Sequence, residues 1–244
     1  MYQNKTVSVV MATYGEKDSV RSVIDGFFNT GLVDEVIVVN NNAEPGTDEE
    51  VKKTKAIRLY ETRQGQGFTF RRGIKEASGD YVILCEPDNT FVPKDLERFL
   101  VYAKDFDVVF GSRTNWSTLD RNTEMYPLRR LANRLSAKMF EILYQTNTIS
   151  DVACTFKLLR KETLRKIEPY FVNGNSLFAT ETLLRIIGDK SIKFVEIPVS
   201  FKKRSGPSTV VQNFRKMAYW GIKVNWYAIK FRFQLMGEKI FKKT

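Results

Sequence analysis

The sequence predicts an α/β protein built on a mostly parallel sheet, and three observations carry that expectation. Short strand-like runs at 7–11, 35–39, 57–60, 81–85 and 107–110 alternate with stretches of helical pattern. The run Tyr81-Val82-Ile83-Leu84-Cys85 is apolar at every position, as a strand buried on both faces requires. Two carboxylates, Glu86 and Asp88, follow it directly, at the edge where open α/β sheets bind their ligands.

Each element has its own signal. The first strand, 6–11, ends in the polar turn Ala12-Thr13-Tyr14-Gly15-Glu16 and leads to a helix over 18–29. The second, 35–39, stops at Asn40-Asn41-Asn42 and the turn signal Glu44-Pro45-Gly46. After the third strand, Arg63-Gln64-Gly65-Gln66-Gly67 opens a helix that ends near 78–79. A helix follows Pro93 to about 103 and precedes the fifth strand. Single helices between strands argue for βαβ crossovers and hence parallel pairing. Beyond residue 111 the alternation loosens. A polar stretch, 112–126, precedes a long helix over 127–144, a strand around 152–159, a short helix from Lys161, a helix over 179–187 and a strand at 192–197. With no repeat or low-complexity linker, the expectation is one domain over 1–205, with halves 1–111 and 112–205, and an extension over 206–244.

Composition narrows the chemistry. A chain of 244 residues buries a sizeable core without disulfides, so Cys85 and Cys154, both in apolar stretches, read as reduced core residues. The absence of histidine excludes His-ligated zinc and Ser-His-Asp catalysis, which leaves oxygen ligands for any metal. The first residues lack a signal-peptide pattern, and no apolar run approaches the ~20 residues needed to span a bilayer. A cytoplasmic protein, soluble or peripheral on the inner face of a membrane, is expected.

The net charge of +11 is concentrated in the tail, where residues 202–244 hold eleven Lys or Arg against Glu238 alone. Residues 213–241 read as a helix with Lys216, Lys223 and Lys230 on one face, Phe214, Met217, Val224, Phe231 and Leu235 on another, and further aromatics between. That pattern suits a helix lying on a membrane surface. Packing against the domain or another subunit is the alternative, and nucleic acid is not expected, since no nucleic-acid module accompanies the charge.

Glu86 and Asp88 are spaced so that both point one way on an extended backbone, which suits a hard divalent cation, although acidic residues after strands also serve turns and helix caps. Upstream, Gly65 and Gly67 permit close backbone approach, the helix N-terminus offers N–H donors, and Arg63 adds positive charge. The alternative is an ordinary turn.

Taken in order, Val7 to Glu16, Val38-Val39-Asn40-Asn41-Asn42, Gly65-Gln66-Gly67, Ala77-Ser78-Gly79-Asp80-Tyr81, Glu86-Pro87-Asp88, Phe110-Gly111-Ser112-Arg113 and Glu196-Ile197-Pro198-Val199-Ser200-Phe201 resemble the family 2 glycosyltransferases of the A-type fold. The nearest likeness is to the polyprenyl-phosphate sugar synthases typified by dolichyl-phosphate mannose synthase, over about residues 6–210. The resemblance implies a Rossmann-like sheet flanked by helices, with the nucleotide sugar in the half 1–111 and the acceptor in 112–205. Ala12, Tyr14 and Glu16 then contact the nucleotide base, and Asn40 stands where the family usually has Asp. Glu86 and Asp88 match the metal motif, with Glu in place of the first Asp and Thr90 two residues on, for Mg²⁺ or Mn²⁺. Arg113, Arg130 and Arg204 match basic positions that face phosphate groups, against the alternative of solvated surface charge.

Asp151 resembles an acceptor-side position, or caps an element. Glu181 lies roughly where relatives that glycosylate hydroxyls place a general base, or binds a nearby arginine. The expected activity is metal-dependent, inverting transfer of a sugar from a nucleotide-sugar donor to a membrane-associated acceptor, foremost a polyprenyl phosphate. A saccharide hydroxyl acceptor, with Glu181 or Asp151 as base, and a non-catalytic membrane-docked partner are the alternatives, and a homo-oligomer is open.

Overall fold

The computed structural model describes residues 2–205 and 214–241, apart from the side chains of 214 and 236–241. The strands are β1 (Val7–Thr13), β2 (Glu35–Asn40), β3 (Ile57–Tyr60), β4 (Tyr81–Cys85), β5 (Val108–Ser112), β6 (Lys157–Arg160) and β7 (Phe194–Pro198). The helices are α1 (Lys17–Phe28), α2 (Thr47–Lys52), α3 (Gln66–Glu76), α4 (Leu96–Tyr102), α5 (Pro127–Tyr144), α6 (Lys161–Ile167), α7 (Phe178–Gly188) and α8 (Phe214–Phe241). The strands form one sheet in the order β3-β2-β1-β4-β6-β5-β7. Both expected halves of the chain therefore share a single sheet. The expected tail residues 206–213 and 242–244, and the side chain of Phe214, lie outside the described residues.

All neighbouring strands are parallel except those flanking β6, which runs antiparallel to both β4 and β5. The sheet is mostly parallel as expected, and β6 lies beyond residue 111, where the expected alternation loosens. Its first residue, Lys157, lies opposite Leu84 and Phe110, near the carboxyl ends of β4 and β5, so the chain re-enters the sheet from the ligand edge. That entry brings residues 153–155 to the edge. The strand is also shorter than the expected 152–159, because Asp151 and its neighbours fold into a polar cluster instead. The short helix α2 is a further departure: the residues after Glu44-Pro45-Gly46 continue as one turn and a half of helix, opened by Gly46 at φ 93°.

Two apolar clusters pack the two faces of the sheet. One gathers Val10, Val39, Phe70, Leu84, Phe140 and Phe178 beneath α3, α5, α7 and α8. The other gathers Val9, Ile24, Phe27, Ile83, Phe99 and Phe156 beneath α1 and α4. Cys85 and Cys154 are free thiols buried in the second. Alternation along β4 explains the split, since Val82 and Leu84 enter one cluster while Tyr81, Ile83 and Cys85 enter the other. Helix α5 begins at Pro127, whose fixed φ suits the first helical position. It ends at Gln145, in the left-handed conformation at φ 48°. Among the described residues no helix is long and apolar enough to cross a membrane.

Candidate active site

Registry brings the site together. Met11 pairs with Cys85, which sets the Ala12–Glu16 turn beside Glu86 and Asp88. Ser112 pairs with Pro198, so the chain leaving β7 exits at the same edge. From there it is tied along the residues after β4: Phe201 bridges Phe91, the Lys202 N–H donates to the Thr90 carbonyl at 2.8 Å, and the Ser205 N–H donates to the Asp88 carbonyl at 3.0 Å. Asn89, at φ 63°, supplies the reversal that makes this possible, a conformation that Asn tolerates better than most side chains.

These ties hold Arg204 over the carboxylates. Its Nη2 donates to Glu16 Oε1 at 2.8 Å, and its Nη1 lies 2.9 Å from Asp88 Oδ2 and 4.0 Å from Glu86 Oε2. Asp88 is 1% exposed, and its Oδ1 accepts from both the Thr90 N–H, at 3.0 Å, and the Thr90 hydroxyl, at 2.5 Å. Its Oδ2 is buried and has no directed hydrogen bond among the described residues. Glu86 accepts from the Gln66 side-chain amide. Burial, then the Asp88 charge, push the Glu86 carboxyl up to about 7 against the pull of Arg204. Burial also raises Glu16, opposed by the Tyr14 and Gly15 N–H groups that its carboxylate accepts from at 2.6 and 2.9 Å. Arg204 is raised despite its burial, because Asp88, Glu86 and Glu16 favour its charge.

Around this centre lies a cavity of about 360 Å³. Eight expected residues line it: Ala12, Tyr14 and Glu16 from the first turn, Glu86, Asp88 and Thr90 after β4, Arg113 after β5, and Arg204. Six do not, and each has a physical reason. Asn40 turns its amide to Asp48 and accepts from the Ala43 N–H; the neighbouring Asn41 lines the cavity. Arg63 is held by Glu61 at 2.8 Å and lies over the Phe68 ring. Gly67 meets the 173–174 loop, where a side chain would strike the Asn173 carbonyl. The N–H groups of Gly67 and Phe68, expected to be open to a ligand, both donate to the Gly174 carbonyl. Arg130 stacks on Trp116 in a separate surface pocket, while Arg129, one residue earlier, faces the cavity and donates to Glu124.

Asp151 and Glu181 are the other two. Asp151 takes both ends of the Arg113 fork, at 2.7 and 2.9 Å, together with the Asn133 amide at 2.8 Å. Burial opposes its charge, yet Arg113 holds it well below the usual carboxylate range. Glu181 is fully buried, accepts from the Val172 and Asn173 N–H groups at 2.9 Å and pairs with Arg185 at 2.8 Å. Glu181 thus binds a nearby arginine, the alternative to its reading as a base, and Asp151 is likewise engaged by Arg113. Arg113 itself is 9% exposed, so its alternative as a solvated charge fails as well.

Asn41, Gln64, Gln66 and Arg129 line the cavity without having been singled out from the sequence. Asn41 organises its wall, donating to the Glu61 and Arg63 carbonyls at 2.7 and 2.9 Å and accepting from the Gly65 N–H at 2.7 Å. Each is adjacent to an expected residue, and Asn41 and Gln66 stand inside the motifs that carry the resemblance.

A divalent cation fits the centre in part. Among the described residues no group of three or more His, Cys, Asp or Glu forms a metal cage. The buried, undirected Asp88 Oδ2 beside Glu86 Oε2 instead offers two carboxylates at one spot, as magnesium sites do when phosphates complete the shell. The Thr90 hydroxyl is committed to Asp88 and serves to orient it.

A strand edge of this topology, with convergent acids and arginines around one cavity, is where an open α/β sheet binds its ligand. The model of Glycosyl transferase family 2 matches residues 8–168, and the chain belongs to that family of glycosyltransferases. It is 25% identical to a dolichyl-phosphate hexose transferase of Haloferax volcanii over 207 residues, covering 84% of this chain and 86% of that one. It is 27% identical to a dolichol-phosphate mannosyltransferase of Pyrococcus furiosus over 82% of this chain, but spans only 57% of that relative's length. Among solved structures, glucosyl-3-phosphoglycerate synthase from Mycobacterium tuberculosis, in complex with Mn²⁺, UDP and phosphoglyceric acid, matches with a TM-score of 0.71. The match covers 93% of this chain and 79% of that one at 15% identity, and so shows the shared fold.

Proposed function

We propose that this glycosyltransferase moves a sugar from a nucleotide-sugar donor to a polyprenyl phosphate at the cytoplasmic face of a membrane, in one inverting displacement that depends on Mg²⁺ or Mn²⁺. The observation that carries this reading is the meeting of Glu16, Glu86 and Asp88 on the single guanidinium of Arg204, within the cavity. Two relatives are named for dolichyl phosphate, and a structural neighbour holds Mn²⁺ with UDP, which supports donor, metal and acceptor class alike.

In this reading Ala12, Tyr14 and Asn41 seat the nucleoside, and Asp88, with Glu86 beside it, holds the cation. Bound there, the cation would neutralise charge on the departing diphosphate. Gln66 fixes the Glu86 carboxylate and Thr90 fixes Asp88, so neither ligand needs to reorient. Arg204 and Arg129 supply the positive charge that stabilises the leaving group. Arg204 also balances the buried acids before the donor arrives, and must release Asp88 as it turns to the diphosphate.

Proton bookkeeping supports a phosphate acceptor. A hydroxyl nucleophile needs a base, and both carboxylates proposed for that task are saturated by other partners outside the cavity lining. A phosphate acceptor is already ionised and needs none. A panel of UDP-, GDP- and dTDP-sugars with Mg²⁺ or Mn²⁺, with and without polyprenyl phosphate, tests the reading. Transfer to the phosphate, lost in Asp88→Ala, is expected. Full turnover in excess chelator would remove the metal from the mechanism, and transfer only to saccharide hydroxyls would remove the phosphate acceptor.

A further inference from the structure

Helices α5 and α8 lie side by side, linked by the Tyr144 hydroxyl donating to the Ala228 carbonyl at 2.8 Å and by the Asn225 amide donating to the Ser136 hydroxyl at 3.0 Å. Each is amphipathic toward the core and then apolar again toward solvent. On α5, Ser136, Ala137, Phe140 and Tyr144 are buried, while Leu128, Leu131, Leu135 and Ile142 on the opposite flank are 49–73% exposed. On α8, Ala228 and Phe231 are buried, while Tyr219, Ile222, Trp226 and Phe233 are 60–71% exposed. Spacings of three, four and seven residues make each exposed set a continuous stripe. The core does not use these stripes, and isolated surface leucines do not explain a row on each of two adjacent helices.

The charges frame the stripes. At 100° per residue, Asn225 marks the side of α8 that meets α5, and Lys216, Lys223 and Lys230 fall on the far side of its stripe. On α5 the side away from α8 carries Arg130, Arg134 and Lys138, the last paired with Glu141. Trp116, 61% exposed beneath the Arg130 guanidinium, extends that margin with an amphipathic ring. Residues 214–235 contain five Lys or Arg and no acid.

We infer that α5 and α8 together form one bilayer-facing surface, the paired apolar stripes entering the acyl boundary of an anionic leaflet while the two basic margins meet its headgroups. The sequence alone assigned membrane contact to the tail; the geometry adds α5 as an equal part. Charge complementarity selects the occupant. A second copy docked isologously would set margins of net positive charge against each other, where Glu141 is already taken by Lys138. An anionic phospholipid surface answers both. Helix α5 also carries Arg129 into the cavity, so the same element touches the site and the membrane. From the proposed function this inference takes only the membrane as the home of the acceptor. Its test uses no substrate, so the two readings fail separately.

The test is flotation of the full chain with phosphatidylcholine vesicles and with phosphatidylcholine–phosphatidylglycerol vesicles, alongside analytical ultracentrifugation. Binding to the anionic vesicles is expected, weakened about tenfold by Leu131→Gln/Leu135→Gln on α5 and to a similar degree by Trp226→Gln/Phe233→Gln on α8. All four side chains are exposed, so the variants keep their fold, which circular dichroism checks. Wild-type binding by the α5 variant would overturn the composite surface. Equal binding to neutral vesicles, or a dimer dissolved by the same substitutions without vesicle binding, would overturn the anionic bilayer as occupant.

Discussion

At the scale of single residues, the site is governed by charge compensation. Arg204 is the counter-charge to three buried or half-buried acids, so replacing it exposes what it restrains. Arg204→Met should raise the affinity of the donor-free protein for Mn²⁺ about tenfold while lowering transfer roughly hundredfold, since the acids gain a cation and the leaving group loses one. Electron paramagnetic resonance of free Mn²⁺ reads the first change and initial rates the second. Unchanged Mn²⁺ affinity would separate Arg204 from the metal ligands. A different residue pair is structural. Asp151→Asn leaves the buried Arg113 guanidinium without its carboxylate, and about 3–5 kcal/mol of stability should be lost in urea denaturation. A loss below about 1 kcal/mol would mean that water reaches the pair.

At the scale of elements, the close approaches between segments set the walls of the site. The N-terminus of α3 is pressed against the 173–174 loop, with Gly65 at φ 145° and no room for a side chain at Gly67. Gly67→Ala should therefore cost about 1–3 kcal/mol by overpacking, measured as a shifted denaturation midpoint. A neutral or stabilised variant would show that the loop yields. β7 carries a second test. Burial pushes Glu196 up to about 7 from 4.5, although Ser150 and the Asp151 N–H stabilise its charge. A carboxyl with a raised folded-state pKa contributes stability that is present below about 4.5 and lost as pH rises to about 7. The wild type should lose on the order of 3 kcal/mol more than Glu196→Gln across that window. Parallel stability–pH curves for the two proteins would place the charge elsewhere.

At the scale of the molecule, one sheet edge gathers residues from both halves of the chain, from Ala12 to Arg204. The order of elements was legible because hydrophobic periodicity is local: the expected α5, 127–144, coincides with the observed helix, and each expected strand has an observed counterpart within a few residues. The orientation of β6 was not legible, because strand direction depends on which sheet edge the chain re-enters. Side-chain direction was equally hidden at the doublets. Asn40 and Asn41, or Arg129 and Arg130, are identical neighbours, yet one of each pair faces the cavity and the other faces away. On α5 that choice is a 100° difference in phase, set only when the buried face docks.

The sequence by itself determined the α/β class, the family, the apolar strand running into Glu86 and Asp88, and the basic, aromatic tail. Each of these rests on residue type and short-range order. Only the tertiary structure decided that Arg204 closes on Asp88, that Asp151 and Glu181 are already paired, and that α5 joins α8 in a common exposed face. Those facts depend on contacts between residues far apart in the chain, such as Arg204 with Glu16 and Tyr144 with Ala228, which exist only after the sheet has set its registry.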